Sequence, residues 1–244
     1  MKGKNNITKK EKMKMIGLRY RKFDINDFYF EKINNHNKAY VLGVMYSDGY
    51  LVKEGTGTKK IGIDSIDKDW LENIAKDMNF TGEIVELKGK RNGFNSQKTM
   101  YRFKISSPKL YDDLIKLGCF EHKTNILKFP TEKQVPIKFL NSFIAGYLDG
   151  DGSLSIITEK SGYKRFRMSF TGTHELINGI QKYFNSNLKD IERFPERKKN
   201  NTSICYSGIL NVYEKISLLY KDTSIRMPRK YKIYLEMSKD SRVK

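Results

Sequence analysis

Two stretches about a hundred residues apart carry the residues that could do chemistry. Val41-Leu-Gly-Val-Met-Tyr-Ser-Asp-Gly49 and Ile144-Ala-Gly-Tyr-Leu-Asp-Gly-Asp-Gly152 share one pattern: an apolar helix with small residues four apart, closed by Asp-Gly. Gly43 and Ser47 in the first copy, and Gly146 and Gly150 in the second, fall on one helical face and allow two backbones to approach closely. Gly49 and Gly152 are expected to end the helices in the left-handed conformation. Asp48 and Asp151 then sit at the last turns of two helices packed side by side. A helix C-terminus already carries partial negative charge. Two such ends with two carboxylates repel unless cations are held there, and a hard divalent ion, Mg2+, fits oxygen ligands of this kind. Ser47 and Gly150 stand beside the acids as further expected oxygen donors to the metal.

The paired motif resembles that of the LAGLIDADG homing endonucleases in their single-chain, two-motif form, over residues 33 to 235. The resemblance implies that the second acid of each motif, here Asp48 and Asp151, binds catalytic metal. It further implies a basic residue near each scissile phosphate, placed after the last helix of each module; the matching positions are Lys123 and Lys230, with Arg229 a rival for the second. Lys123 and Lys230 follow Asp48 and Asp151 by 75 and 79 residues. The first motif departs from the pattern, with Tyr46 where the second has Asp149. Residues two apart on a helix point about 200° away from each other, so neither side chain shares the inward role of Asp48 and Asp151.

The elements that must position these residues also repeat. After the first motif helix come strand-like runs at 50–54 and 59–66, an amphipathic helix from Asp69, strand-like runs at 83–88 and 98–105, and a helix over 109–117. The second half runs from a motif helix at 137–151 through strands near 153–158 and 163–171, a helix at 174–185, strands near 189–194 and 202–207, and a helix at 209–220. The fold class is therefore α+β, a duplicated αββαββα module with two antiparallel sheets and a pseudo-two-fold interface between the motif helices. The expected divisions are a basic N-terminal arm (1–32), a first module (33–119), a connector (120–136) and a second module (137–244).

Alternation assigns the sheet faces. Phe166, Met168 and Phe170 are apolar, whereas Arg165, Arg167, Ser169 and Thr171 point the other way. Tyr101, Phe103 and Ile105 are expected inward, with Lys98, Arg102 and Lys104 outward. Together with Lys60, Lys189 and Arg193, these outward residues are the expected DNA contacts, because a twisted antiparallel ribbon fits the major groove. Ser65 and Thr171 are further expected near the water network of the cleavage site.

Composition agrees. Of 244 residues, 47 are Lys or Arg and 28 Asp or Glu, for a formal net charge of +19 and a pI near 9.7. A polyanionic partner follows, with duplex DNA the expected one. Residues 1–22 alone carry a net +8. No apolar run approaches the roughly 20 residues that span a bilayer, and no signal-type segment follows the Lys-rich start, so an intracellular monomer is expected. Cys119, Cys205, His36, His122 and His174 show neither zinc-site nor disulfide spacing. The resemblance implies Mg2+-dependent double-strand cleavage across the minor groove, and the two unlike sheets make a long, pseudo-palindromic site the expected target. The alternatives are an RNA maturase aiding intron splicing, or a DNA-binding regulator without catalysis, on the same scaffold.

Overall fold

The computed structural model describes residues 23–55, 57–87, 99–188, 196–197 and 201–243. Its elements are α1 (His36–Tyr46), β1 (Gly49–Lys53), β2 (Lys59–Ser65), α2 (Lys68–Asp77), β3 (Val85–Leu87), β4 (Met100–Ser106) and α3 (Pro108–Lys116), then α4 (Leu140–Gly150), β5 (Ser153–Thr158), β6 (Lys164–Gly172), α5 (His174–Leu188), β7 (Glu196–Arg197), β8 (Thr202–Ser207), α6 (Ile209–Tyr220) and α7 (Pro228–Ser238). Each half builds one antiparallel four-stranded sheet, in the orders β1-β2-β4-β3 and β5-β6-β8-β7. The duplicated α+β architecture read from the sequence is the architecture of the chain.

Alternation sets the core. Ile61, Ile63, Phe103 and Ile105 of the first sheet, and Phe166, Met168, Phe170, Ile204 and Tyr206 of the second, are buried beneath the helices. The intervening residues line the opposite faces. Amphipathic α2 seats Trp70, Leu71 and Ile74 in the same core. Ser107 caps α3 by accepting from Leu110 N at 3.2 Å, and Pro108 opens that helix where its missing N–H is harmless.

Three expectations change. Residues 23–32, the described part of the expected arm, pack against the first module: Tyr29 and Phe30 are buried, and Ser107 Oγ donates to Asp27 at 2.6 Å. Helix α7 is an additional element; its apolar residues are interrupted by lysines and tyrosines, which weakened the periodic signal. Gly49 and Gly152 do not have positive φ. They are glycines because the chain folds back tightly: a Cβ at Gly49 would lie 2.5 Å from Met45 Cα, and one at Gly152 would lie 2.7 Å from Leu148 O.

The calls at Lys98, Lys189, Arg193, the strand near 189–194 and residues 1–22 lie outside the described residues. Among the described residues no helix is long and apolar enough to cross a membrane.

Candidate active site

Helices α1 and α4 pack against each other along their small-residue faces. A Cβ on Gly43 would sit 2.0 Å from the Phe143 carbonyl oxygen, one on Gly146 would sit 1.9 Å from that of Tyr40, and one on Gly150 would sit 1.9 Å from Ser47 Oγ. Real Cβ atoms cannot occupy such distances, so only glycine permits this approach. The contact places the helix ends, with Asp48 and Asp151, next to one another.

Asp48 is half-buried and its carboxyl is pushed up to about 6, first by burial and then by the like charge of Asp151, against the pull of Lys230, Lys123 and Arg229. Asp151 opens to solvent on the concave side. Its carboxyl is also raised, because the surrounding walls limit solvation, with Lys123 and then Lys230 opposing. Each acid therefore draws its largest compensation from the lysine of the other half.

The lysines sit where the two-fold repeat requires. Lys123 Nζ donates to the Gly49 carbonyl. Lys230 Nζ donates to the carbonyls of Gly152 (2.6 Å), Leu148 (2.6 Å) and Asp149 (2.8 Å), with Gly150 at 3.4 Å. Gly49 and Gly152 are equivalent in the two motifs, so the lysines are equivalent too. Lys230 satisfies carbonyls that the end of α4 leaves unpaired, whereas Lys123 holds the carbonyl of the first residue of β1. Lys230 is only 2% exposed, and burial lowers its ammonium to about 8.

Ser47 and Gly150, expected as oxygen donors to the metal, also take part in other contacts. Ser47 is buried in the helix contact, and its hydroxyl donates back to Gly43 O (3.2 Å) and Val44 O (3.1 Å). The Gly150 carbonyl faces the Lys230 ammonium, whose charge would repel a metal there.

Tyr46 and Asp149 do point away from the acids, as helix geometry requires. Tyr46 Oη donates to Leu117 O at the end of α3, at 2.5 Å. Asp149 is fully buried and accepts from Tyr40 Oη (2.5 Å), Tyr220 Oη (2.5 Å) and Met227 N (2.9 Å). Each thus pins the end of its module's fourth-strand helix. Burial raises the Asp149 carboxyl, which the two tyrosines and Lys230 oppose. Trp70 Nε1 extends the network by donating to Tyr40 Oη at 2.8 Å.

A cavity of about 340 Å³ beside Asp151 brings in Lys123, Thr124, Thr171 and Asn201. Thr171 lines this cavity, and its Oγ1 lies 3.0 Å from Ser203 Oγ. Ser65 is buried on the core side of β2 and accepts from Asp67 N at 3.1 Å.

The expected sheet contacts divide in two. Arg165, Arg167, Ser169 and Thr171 share the outward face of the second sheet with Ser203, Cys205 and Ser207. There Arg165 pairs with Glu159 at 2.5 Å, and Arg167 donates to Cys205 Sγ at 3.3 Å. On the first sheet Lys104 is exposed, but Arg102 is held by Asp64 in a two-pronged pair at 2.7 Å and Lys60 by Glu54. Arg102, Lys60 and Arg165 are thus each partly neutralised by an acid of their own module.

Two anchoring residues escaped the sequence reading. Thr173 Oγ1 donates to Leu127 O, and Asp67 accepts from Arg229 Nε at 2.9 Å. A signal existed: each stands immediately before a helix, Asp67 before α2 and Thr173 before α5, where such residues are common.

Among the described residues no group of three or more His, Cys, Asp or Glu is poised for a metal. The two acids still fit Mg2+. That ion is commonly held by one or two carboxylates, with water and substrate phosphate completing its shell. Burial raises both carboxyls, and at Asp48 the like charge of Asp151 adds a repulsion that a cation would relieve.

The architecture and the paired acids define a pseudo-two-fold protein with one carboxylate pair set between two sheets. No protein-family model matches the sequence, and no curated protein matches it. Solved structures do match. The LAGLIDADG meganuclease I-CpaMI bound to uncleaved DNA is 15% identical, over 82% of this chain and 89% of that one, with a TM-score of 0.52. I-AabMI bound to uncleaved DNA is 13% identical over 84% and 90%, with a TM-score of 0.52. The homing endonuclease I-GzeII in complex with its DNA target is 16% identical over 84% and 89%, with a TM-score of 0.51. The fold of this chain is the LAGLIDADG meganuclease fold.

Proposed function

We propose that this chain is a sequence-specific, Mg2+-dependent endonuclease that cuts both strands of a long, pseudo-palindromic duplex. The convergence of Asp48 and Asp151 at the tight α1–α4 contact, each facing the other half's lysine, carries this reading. Solved proteins of the same fold hold DNA, and the net charge of +19 suits a polyanion.

In this reading Asp48 and Asp151 hold the metal, and the close helix contact keeps their spacing fixed. Bound Mg2+ supplies neutralisation of phosphate charge and activation of the attacking water. Lys123 and Lys230 place one ammonium near each scissile phosphate and stabilise the charge that develops there. Both are held by backbone carbonyls, so they need little reorganisation during the reaction. Arg165, Arg167 and Lys104 on the outward sheet faces engage the duplex, mostly through phosphates, and the hydroxyls of Ser169 and Thr171 add short-range contacts. The protein acts as a monomer, because one chain already supplies both half-sites.

The test is selection of cleaved products from a randomised duplex library with Mg2+ and, in parallel, with Ca2+. Double-strand cuts at a defined sequence are expected with Mg2+, and binding without turnover with Ca2+. Normal cutting by both Asp48→Asn and Asp151→Asn would overturn the assignment. Tighter, selective binding of structured RNA over the duplex would favour the maturase alternative.

A further inference from the structure

Asp64 on β2 and Arg102 on β4 stand directly opposite each other on the outward face of the first sheet. One carboxylate oxygen accepts from Arg102 Nε and the other from Nη2, each at 2.7 Å. This side-on pair fixes the plane of the guanidinium. The guanidinium carbon also lies 5.8 Å from the centre of the Tyr50 ring. Gly62, paired with Tyr50 across the sheet, leaves room for that ring: a Cβ there would stand 2.5 Å from Tyr50 Cζ.

An ion pair of this kind is formally neutral and adds little to the pull of the sheet on phosphates. Its effect is orientation. An arginine carries five N–H donors in a planar fork. Asp64 takes the Nε–Nη2 side, and the Nη1–Nη2 end remains as two parallel donors on a side chain that is 32% exposed. Two parallel donors match O6 and N7 of guanine, and no other base presents two acceptors in the major groove. Strands β2 and β4 are the central pair of their sheet. A sheet lying in a groove sets its central strands over the base edges and its margins beside the phosphates.

The register also gives the position along the duplex. Tyr50 and Ser153 each follow the motif glycine, and they pair with Gly62 and Ser169. Asp64 and Arg102 therefore correspond to Thr171 and Ser203, which are directly opposed as well. Thr171 lines the cavity beside Asp151, so Asp64 and Arg102 hold the inner end of the first sheet. At the matching place the second sheet has two hydroxyls 3.0 Å apart.

We propose that Arg102, set by Asp64, reads a guanine at the innermost base pair covered by the first sheet, and that the second sheet makes no such demand at the matching pair. This rests on the endonuclease reading above and names one base of its target. The pseudo-palindrome is broken at that pair because a guanidinium–carboxylate pair in one half faces two hydroxyls in the other.

The experiment selects cleaved sites from a randomised duplex library with the full chain and Mg2+, and repeats the selection with variants. Wild type requires guanine at one base pair, at the inner end of one half-site only. Arg102→Ala relaxes that pair by about tenfold or more, the scale for one bidentate base contact, while the other positions keep their preferences. Arg102→Gln, the second variant if the alanine form melts early, shifts that pair toward adenine, the base that a side-chain amide matches. Asp64→Asn blurs the same pair and steepens the salt dependence of binding to unrelated duplex, since a released cation reaches phosphates. Four results would overturn the proposal and leave the endonuclease reading intact. They are a wild-type site without guanine there, guanine required at the matching pair of both halves, an unchanged or uniformly weakened consensus in Arg102→Ala, and a pair that answers to Asp64→Asn alone. A wild-type chain that cuts no duplex would overturn both.

Discussion

Lys230 Nζ lies 2.6 Å from the carbonyl oxygen of Gly152, the residue immediately after Asp151, and also caps Leu148 and Asp149. One ammonium thus ends the helix that delivers Asp151, while its charge bears on Asp48 of the other motif. Lys123 has one such carbonyl partner and is half-buried. Lys230→Ala is therefore expected to destabilise the fold by about 2–4 kcal/mol, because buried carbonyls lose a charged donor. Lys123→Ala should lose about 1 kcal/mol or less, while both variants lose cleavage. Denaturant midpoints compared with cleavage rates would separate these effects.

Asp48 is expected to trade stability for function. Its carboxyl is raised from 3.8 to about 6 in the folded chain. The unfolded chain therefore releases this proton at lower pH, and folding becomes less favourable as pH rises from about 4 through 6. Asp48→Asn should melt higher than wild type at pH 7, by about 1–3 kcal/mol for a shift of this size. The gap should close below pH 4, where both states are protonated. Thermal melts of both proteins across this range, without divalent ions, measure it.

Gly146→Ala should be the more informative of the small changes. The added Cβ would meet the Tyr40 carbonyl oxygen at 1.9 Å, a backbone atom that cannot swing aside. The helices must separate, at a cost of about 1–3 kcal/mol or more. Cleavage should fall further than stability explains, because the spacing between Asp48 and Asp151 widens. Melting and single-turnover rates at a temperature where the variant is fully folded distinguish the two losses.

Tyr46 and Asp149 occupy equivalent positions and should respond very differently. Tyr46→Phe removes one hydrogen bond, to Leu117 O, worth about 1 kcal/mol. Asp149→Ala strands two buried tyrosine hydroxyls and the Met227 amide, and about 3–5 kcal/mol is expected. Urea titration of both variants is sufficient.

On the sheets, Arg167→Ala should weaken duplex binding and reduce the salt dependence by about one counterion. Arg102→Ala should change binding less, since Asp64 already holds that guanidinium in two bonds of 2.7 Å. Binding isotherms over a range of salt concentrations report the slopes.

Much of this protein was legible in the residues themselves. Small residues four apart followed by Asp-Gly, twice, specify helices that touch and acids that meet, because side-chain size sets how closely backbones approach. Period-two alternation in Tyr163–Thr171 assigned both sheet faces, since pleating leaves no other arrangement. Tertiary structure alone decided the rest. Only the folded chain shows that Gly49 and Gly152 answer to a tight fold-back and not to a left-handed turn. Only there does Lys230 bury itself under four carbonyls while Lys123 keeps one, and only there are Arg102 and Lys60 matched by acids on neighbouring strands. These outcomes depend on partners distant in sequence, and a local pattern carries no record of which charge will face which once the sheets and helices close on each other.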